Sequence, residues 1–210
     1  MIITSQKDFK DILQKVDGRS VFVVGCDECA DLCHTGGREE VEDMKKKLKE
    51  EGNKVCGSVI LDPACHLQND KRLFREHRGE LVDSEVVLVL ACGNGVQTVS
   101  KVLDDKDVVA GLDTFFLGEI SRLNSFKKQC EMCGKCIVDA FGGFCPIALC
   151  PKNMLNGPCG GSVDGKCEIE GEMDCVWDRI YKTLKKKGRV DLLKKIKPAK
   201  DWSKTRKKEV

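Results

Sequence analysis

The chain has 210 residues, 36 basic and 34 acidic side chains, a net charge of +2, and 14 cysteines. That length suits one or two small domains with a real core and is too short for a barrel enzyme of roughly 250 residues. No apolar run approaches the ~18 residues of a membrane span, and the start, Met1 to Asp8 (MIITSQKD), has neither a basic nor an apolar leader region. The expected setting is therefore a reducing cytoplasm, where so many cysteines point to metal or cluster ligation rather than disulfides.

Alternating helices and strands are predicted up to about residue 118. Asp8 to Val16 makes a short leading helix, and Ser20 to Gly25 (SVFVVG) a first strand. Arg38 to Glu51 places Val41, Met44 and Leu48 on one helical face, and Gly52-Asn53 stops it. Lys54 to Leu61 is a second strand, 67–78 a weaker helix, and Ser84 to Ala91 a third strand. A helix over Val96 to Leu103 and a fourth strand over Asp107 to Phe116 follow. The strands are continuous apolar runs rather than alternating ones, which suits a parallel sheet covered on both faces and joined by right-handed crossovers.

From about Ser125 the texture changes. Residues 130–175 hold eight cysteines, eight glycines and three prolines in 46 residues, too little apolar surface for an unaided core. Val176, Trp177, Ile180, Tyr181 and Leu184 then recur at helical spacing, Val190, Leu193 and Ile196 suggest a second short helix, and the chain frays from Lys200. The expected fold class is α/β. A parallel βαβ domain occupies 1–124, and a cluster-stapled, cysteine-rich region with terminal helices and a basic tail occupies 125–210. Residues 178–210 carry 14 Lys or Arg against 4 Asp or Glu, a net +10 that leaves −8 for the remainder. The absence of an RNA-recognition aromatic motif argues against nucleic acid as the partner of that tail.

The cysteines fall into two groups. In the C-terminal region Cys130, Cys133 and Cys136 form a C-x2-C-x2-C triplet that can wrap one cubane. Cys145-Pro follows after eight residues, not the three of a ferredoxin run, and Cys150, Cys159, Cys167 and Cys175 complete the set. Eight thiolates match two [4Fe–4S] clusters, or one cluster and one four-cysteine zinc site. They can be divided into two sets of four in 35 ways, and spacing does not choose among them. In the N-terminal domain Cys26 and Cys92 directly follow the first and third strands, Cys65 follows the second, and Cys29 and Cys33 lie just beyond Cys26. The carboxyl ends of parallel strands share one edge, where such sheets bind ligands. A third [4Fe–4S] cluster is therefore expected on Cys26, Cys29, Cys33 and Cys92, with Cys65 as the substitute ligand. Cys56 lies inside a strand and is expected to pack as a small hydrophobe. His34 and His66 flank candidate ligands. No G-x-G-x-x-G or P-loop pattern is present, and Gly93-Asn94-Gly95 is too short to count as one. No triad or paired-carboxylate arrangement stands out, so no catalytic residue is assigned.

Several of these stretches together resemble a known family. They are Cys26-x2-Cys29-x3-Cys33-His-Thr-Gly-Gly after a strand, Leu90 to Gln97 (LACGNGVQ), Cys145-Pro, and Leu155 to Gly161 (LNGPCGG). Gly165-Lys-Cys167-Glu, Cys175-Val-Trp177 and Ile180-Tyr181 complete the pattern. The chain resembles, over essentially 20–184, the MetV-type small subunit of methylenetetrahydrofolate reductase. The resemblance implies a non-catalytic, iron–sulfur-bearing subunit, with zinc also a feature of the family. It implies as partners a MetF-type catalytic subunit that carries the flavin and binds the folate, and an upstream electron donor protein. It implies a relay of electrons to that flavin in the methyl branch of the Wood–Ljungdahl pathway. The competing expectation is a zinc-stabilised scaffold without redox activity.

Overall fold

The computed structural model describes residues 1–122 and 125–206. Contacts divide the chain into two units, Met1–Phe116 and Leu117–Val210.

In the first unit the order is β1 (Ile2–Gln6), α1 (Phe9–Val16), β2 (Val21–Cys26), α2 (Cys29–Leu32), α3 (Arg38–Glu50) and β3 (Val55–Leu61). Then come α4 (Leu67–Glu76), α5 (Arg78–Val82), β4 (Val86–Leu90), α6 (Gly93–Val102), β5 (Asp107–Ala110) and β6 (Leu112–Arg122), which runs on into the second unit. A four-stranded parallel sheet has the order β3-β2-β4-β5. Every residue of β2 and β4 is buried, as their unbroken apolar runs require of central strands. The core joins them to Ile12 and Val16 of α1 and to Val41, Met44 and Leu48 of α3. Asp8 caps α1, its carboxylate accepting the Lys10 N–H at 2.8 Å, and the Glu40 carboxylate accepts the Gly37 N–H at the start of α3. Cys26 stands opposite Leu61, and Gly25 opposite Leu90, so β2, β3 and β4 end abreast. The strand order reverses between β2 and β4, the point where such sheets open a crevice for a ligand.

Four sequence expectations need correction. The short β1 lacks a long apolar run, yet it joins a second sheet of order β1-β6-β7, in which β7 is Ser125–Cys130. The expected strand 107–116 is two strands. At Gly111 the N–H still binds Val89 O (2.9 Å) while the carbonyl accepts Lys7 N–H (3.0 Å), so the chain changes sheets there. The helix 67–78 ends at Glu76 and restarts at Arg78, and α6 begins at Gly93 rather than Val96 despite two glycines in its first turn.

Asp70 on α4 is fully buried, and neither carboxylate oxygen has a hydrogen-bond partner. Burial pushes its pKa up to about 6, with His66 pulling weakly the other way. The folded chain thus holds this proton more tightly than the unfolded chain, whose carboxyl titrates near 3.9. Stability is full below pH ~4, falls as pH rises to about 6, and stays lower above it, a loss of about 3 kcal/mol. Asp70→Asn is expected to flatten that slope and to raise stability at pH 7 by up to that amount, read by urea unfolding at pH 4 and pH 7. Equal slopes for wild type and variant would refute the assignment to Asp70.

The second unit contains the rest of β6, β7 (Ser125–Cys130), α7 (Pro146–Leu149) and α8 (Val176–Lys186). β6 and β7 pair antiparallel, a hairpin the sequence reading missed because its residues are mostly polar and half-exposed. Short 3-10 turns lie at Val138–Phe141, Val190–Lys194 and Trp202–Arg206. The expected helix through Ile196 is thus only the turn ending at Lys194. In the tail expected to fray from Lys200, the 3-10 turn spans Trp202–Arg206, and the last four residues lie outside the described ones. The buried core is Phe141, Cys175, Val176, Trp177, Ile180 and Leu184. Trp177 meets Phe141 edge-on at 5.6 Å, and its indole N–H donates to Met154 O at 3.0 Å. The apolar face of α8 is thus spent inside the unit, where Trp177 is buried, while Tyr181 is exposed.

Candidate metal centres

No disulfide joins the fourteen cysteines. Three strand ends bring thiols to the carboxyl edge of the parallel sheet, as expected. Cys26 closes β2, Cys92 sits immediately before α6, and Cys29 opens α2. Two glycines draw the connecting loops onto this edge. Gly36, in the loop after Cys33, lies against the Leu90 carbonyl with no room for a side chain, and its own carbonyl accepts the Cys26 N–H at 2.8 Å. A Cβ on Gly95 would meet Ala91 Cβ at 2.9 Å and Ala64 Cβ at 3.1 Å, so the loop carrying Cys65 packs on the first turn of α6, beside Cys92.

The electrostatics report the same clustering. Burial pushes the Cys26 thiol up, Cys92 adds to the rise, and the backbone N–H groups of Ala64, Glu28 and Ala30 oppose it. The Cys65 thiol is also raised, first by burial, then by Cys92 and Cys26, and less by Cys29. Cys26, Cys29, Cys65 and Cys92 therefore share one neighbourhood. Cys33, which ends the short α2, is buried, its thiol directed at Ile2 O (3.7 Å), and Cys29 Sγ accepts the N–H of the same Ile2 (3.4 Å). Cys56 is at the opposite end of β3, half-buried rather than in the core, with its thiol donating to Asp83 O at 3.2 Å. His34 and His66 are exposed, and His66 Nδ1 accepts the Asn69 N–H at 3.2 Å. In the Gly-Asn-Gly turn the Gly93 N–H donates to Thr114 Oγ1 at 2.9 Å.

In the second unit Cys150, Cys159, Cys167 and Cys175 line one cavity, walled by Leu149, Met173, Val176 and Trp177. The Cys159 thiol donates to Glu168 Oε1 at 3.1 Å, and Glu168 also pairs with Lys152. Asn156 of the Asn-Gly-Pro-Cys stretch clamps Lys197, accepting its N–H at 2.7 Å and donating to its carbonyl at 2.9 Å. Cys130, Cys133 and Cys136 follow one another from the end of β7, and Cys145 caps α7, which packs against β7. Burial alone would raise the Cys133 thiol, but hydrogen bonding to Lys200 and to the Lys135 backbone, with the charge of Lys200, brings it below its ordinary value. The Lys200 ammonium also meets Lys135 O, and Lys204 lies against Gly134. Sequence reasoning missed Lys200 and Glu168. The charge excess of the tail and the placement of Glu168 directly after Cys167 were the available signals.

Among the described residues, no group of three or more His, Cys, Asp or Glu side chains is already gathered to hold a metal ion. Thiols are the donors that zinc and iron–sulfur groups take, and four of them line one cavity of the second unit. No helix among the described residues is long and apolar enough to cross a membrane.

A search of curated proteins finds no match. Residues 109–203, which hold all eight C-terminal cysteines, match a family described as methylene-tetrahydrofolate reductase C terminal.

Proposed function

We propose that the chain is the MetV-type electron-transfer subunit of a cytoplasmic methylenetetrahydrofolate reductase. It would relay electrons from a donor protein to the flavin of a MetF-type catalytic partner. The observation that carries this reading is the gathering of thiols into four-cysteine neighbourhoods within a chain whose C-terminal segment matches a reductase domain. Cys26, Cys29, Cys92 and Cys65 or Cys33 would hold one metal group, and the eight C-terminal cysteines two more, one of which can be zinc. Iron–sulfur clusters supply one-electron redox chemistry when bound. The chain's own residues provide the thiolates, exclude water through walls such as Met173 and Trp177, and set local charge through Lys200, Lys152 and Glu168. Reduction of the folate carbon belongs to the partner.

The test is iron, sulfide and zinc per chain on protein purified without oxygen, with EPR after dithionite reduction. About eight to twelve irons and reduced-cluster signals are expected, at four per cubane. Zinc without iron would make the chain a scaffold and end the relay reading. Cys159→Ala is expected to lose about four irons and to destabilise the second unit; unchanged iron would remove Cys159 from the ligands.

A further inference from the structure

We propose that the eight C-terminal cysteines divide in chain order, with Cys130, Cys133, Cys136 and Cys145 holding one metal group and Cys150, Cys159, Cys167 and Cys175 holding a second. This deepens the reading above and rests on the segment being metal-binding. The last four cysteines line a single cavity, and none of the first four is among its lining residues. Backbone bonds tie two of them together, and a side-chain bond adds a third. Cys167 N–H bonds Met173 O at 2.8 Å, and Cys175 N–H bonds Gly165 O at 2.7 Å, which holds Cys167 beside the start of α8. Cys159 is held to the same place through Glu168, the residue after Cys167.

The first four cysteines are carried by the end of β7, the loop after it and the start of α7. β7 ends at Cys130 and leads straight into the triplet, and α7, capped by the Cys145 sulfur, packs on β7. α7 is also the divider. Cys145 caps its start and Cys150 its end, so the two cysteines sit about 7 Å apart along a helix that rises ~1.5 Å per residue. In two-cluster ferredoxins the fourth cysteine of a run crosses to the other cluster. Here the gap to Cys145 is eight residues, not that of a ferredoxin run, and Cys145 is assigned to its own triplet because α7, which it opens, packs on β7.

The experiment measures iron and zinc per full-length chain in serine variants purified without oxygen. The pairs Cys133→Ser with Cys145→Ser, and Cys159→Ser with Cys167→Ser, are expected to lose no more metal than either single change. The pair Cys145→Ser with Cys159→Ser is expected to lose the sum of its two single losses, twice that of either alone if both sites hold the same group. A non-additive loss in that last pair overturns the partition. If single variants unfold and shed all metal, wild-type protein decides the matter. During stepwise metal removal, alkylation with mass spectrometry is expected to label Cys130, Cys133, Cys136 and Cys145 as one cohort and the other four as another. Mixed cohorts overturn the partition. Zinc in both sites with the cohorts intact keeps the partition and defeats the relay. Eight thiols labelled at once in protein that carries no metal defeat both.

Discussion

Replacing Cys65 by serine is expected to strip the metal group from the strand edge of the first unit, about four irons if it is a cubane, whereas Cys33→Ser leaves it bound. The C-x2-C-x3-C spacing alone favours Cys33, because Cys29 and Cys33 sit one turn apart on a helix. We propose Cys65 instead, on the packing of its loop. The thiol of Cys33 is buried against Ile2 O, while the loop bearing Cys65 is pressed onto the first turn of α6 by the contact of Ala64 with Gly95. Cys65 thereby shares the field of Cys26, Cys29 and Cys92. Metal analysis and the visible spectrum of each variant check this, with Cys56→Ala as a control that retains full metal. Loss in Cys33→Ser with retention in Cys65→Ser would restore Cys33 as the fourth ligand.

Trp177→Ala is expected to cost about 3–5 kcal/mol, the usual range for emptying a large aromatic site, and to prevent the second unit from holding its metal. Trp177 is one of few buried side chains in that unit. It packs edge-on to Phe141, satisfies Met154 O, and forms a wall of the cavity that Cys150, Cys159, Cys167 and Cys175 line. A cavity there would loosen the core and the site together. Trp177→Phe keeps the ring contact and loses the indole donor, an expected cost of about 1–3 kcal/mol for the unpaired carbonyl. Denaturant unfolding followed by metal analysis separates the two variants. Wild-type stability and metal content in Trp177→Ala would show that the small core does not depend on this residue. The strand-edge group of the first unit is expected to remain in both variants.

The amino-acid sequence by itself determined the parallel sheet, because β2 and β4 are apolar at every position and only strands covered on both faces tolerate that pattern. It also supplied the thiols on which the proposed chemistry rests, since the residue type and the local C-x2-C spacings are covalent facts of the chain. Hairpin β6-β7 escaped it because half-exposed strands carry little apolar signal. What the tertiary structure decided is which thiols become neighbours. The packing of Ala64 on Gly95 brings Cys65 to Cys92, the four-residue α7 parts Cys145 from Cys150, and Lys200 returns from the tail to Cys133. Such juxtapositions join residues far apart in the chain through loop packing, and loop packing leaves no periodic trace in sequence.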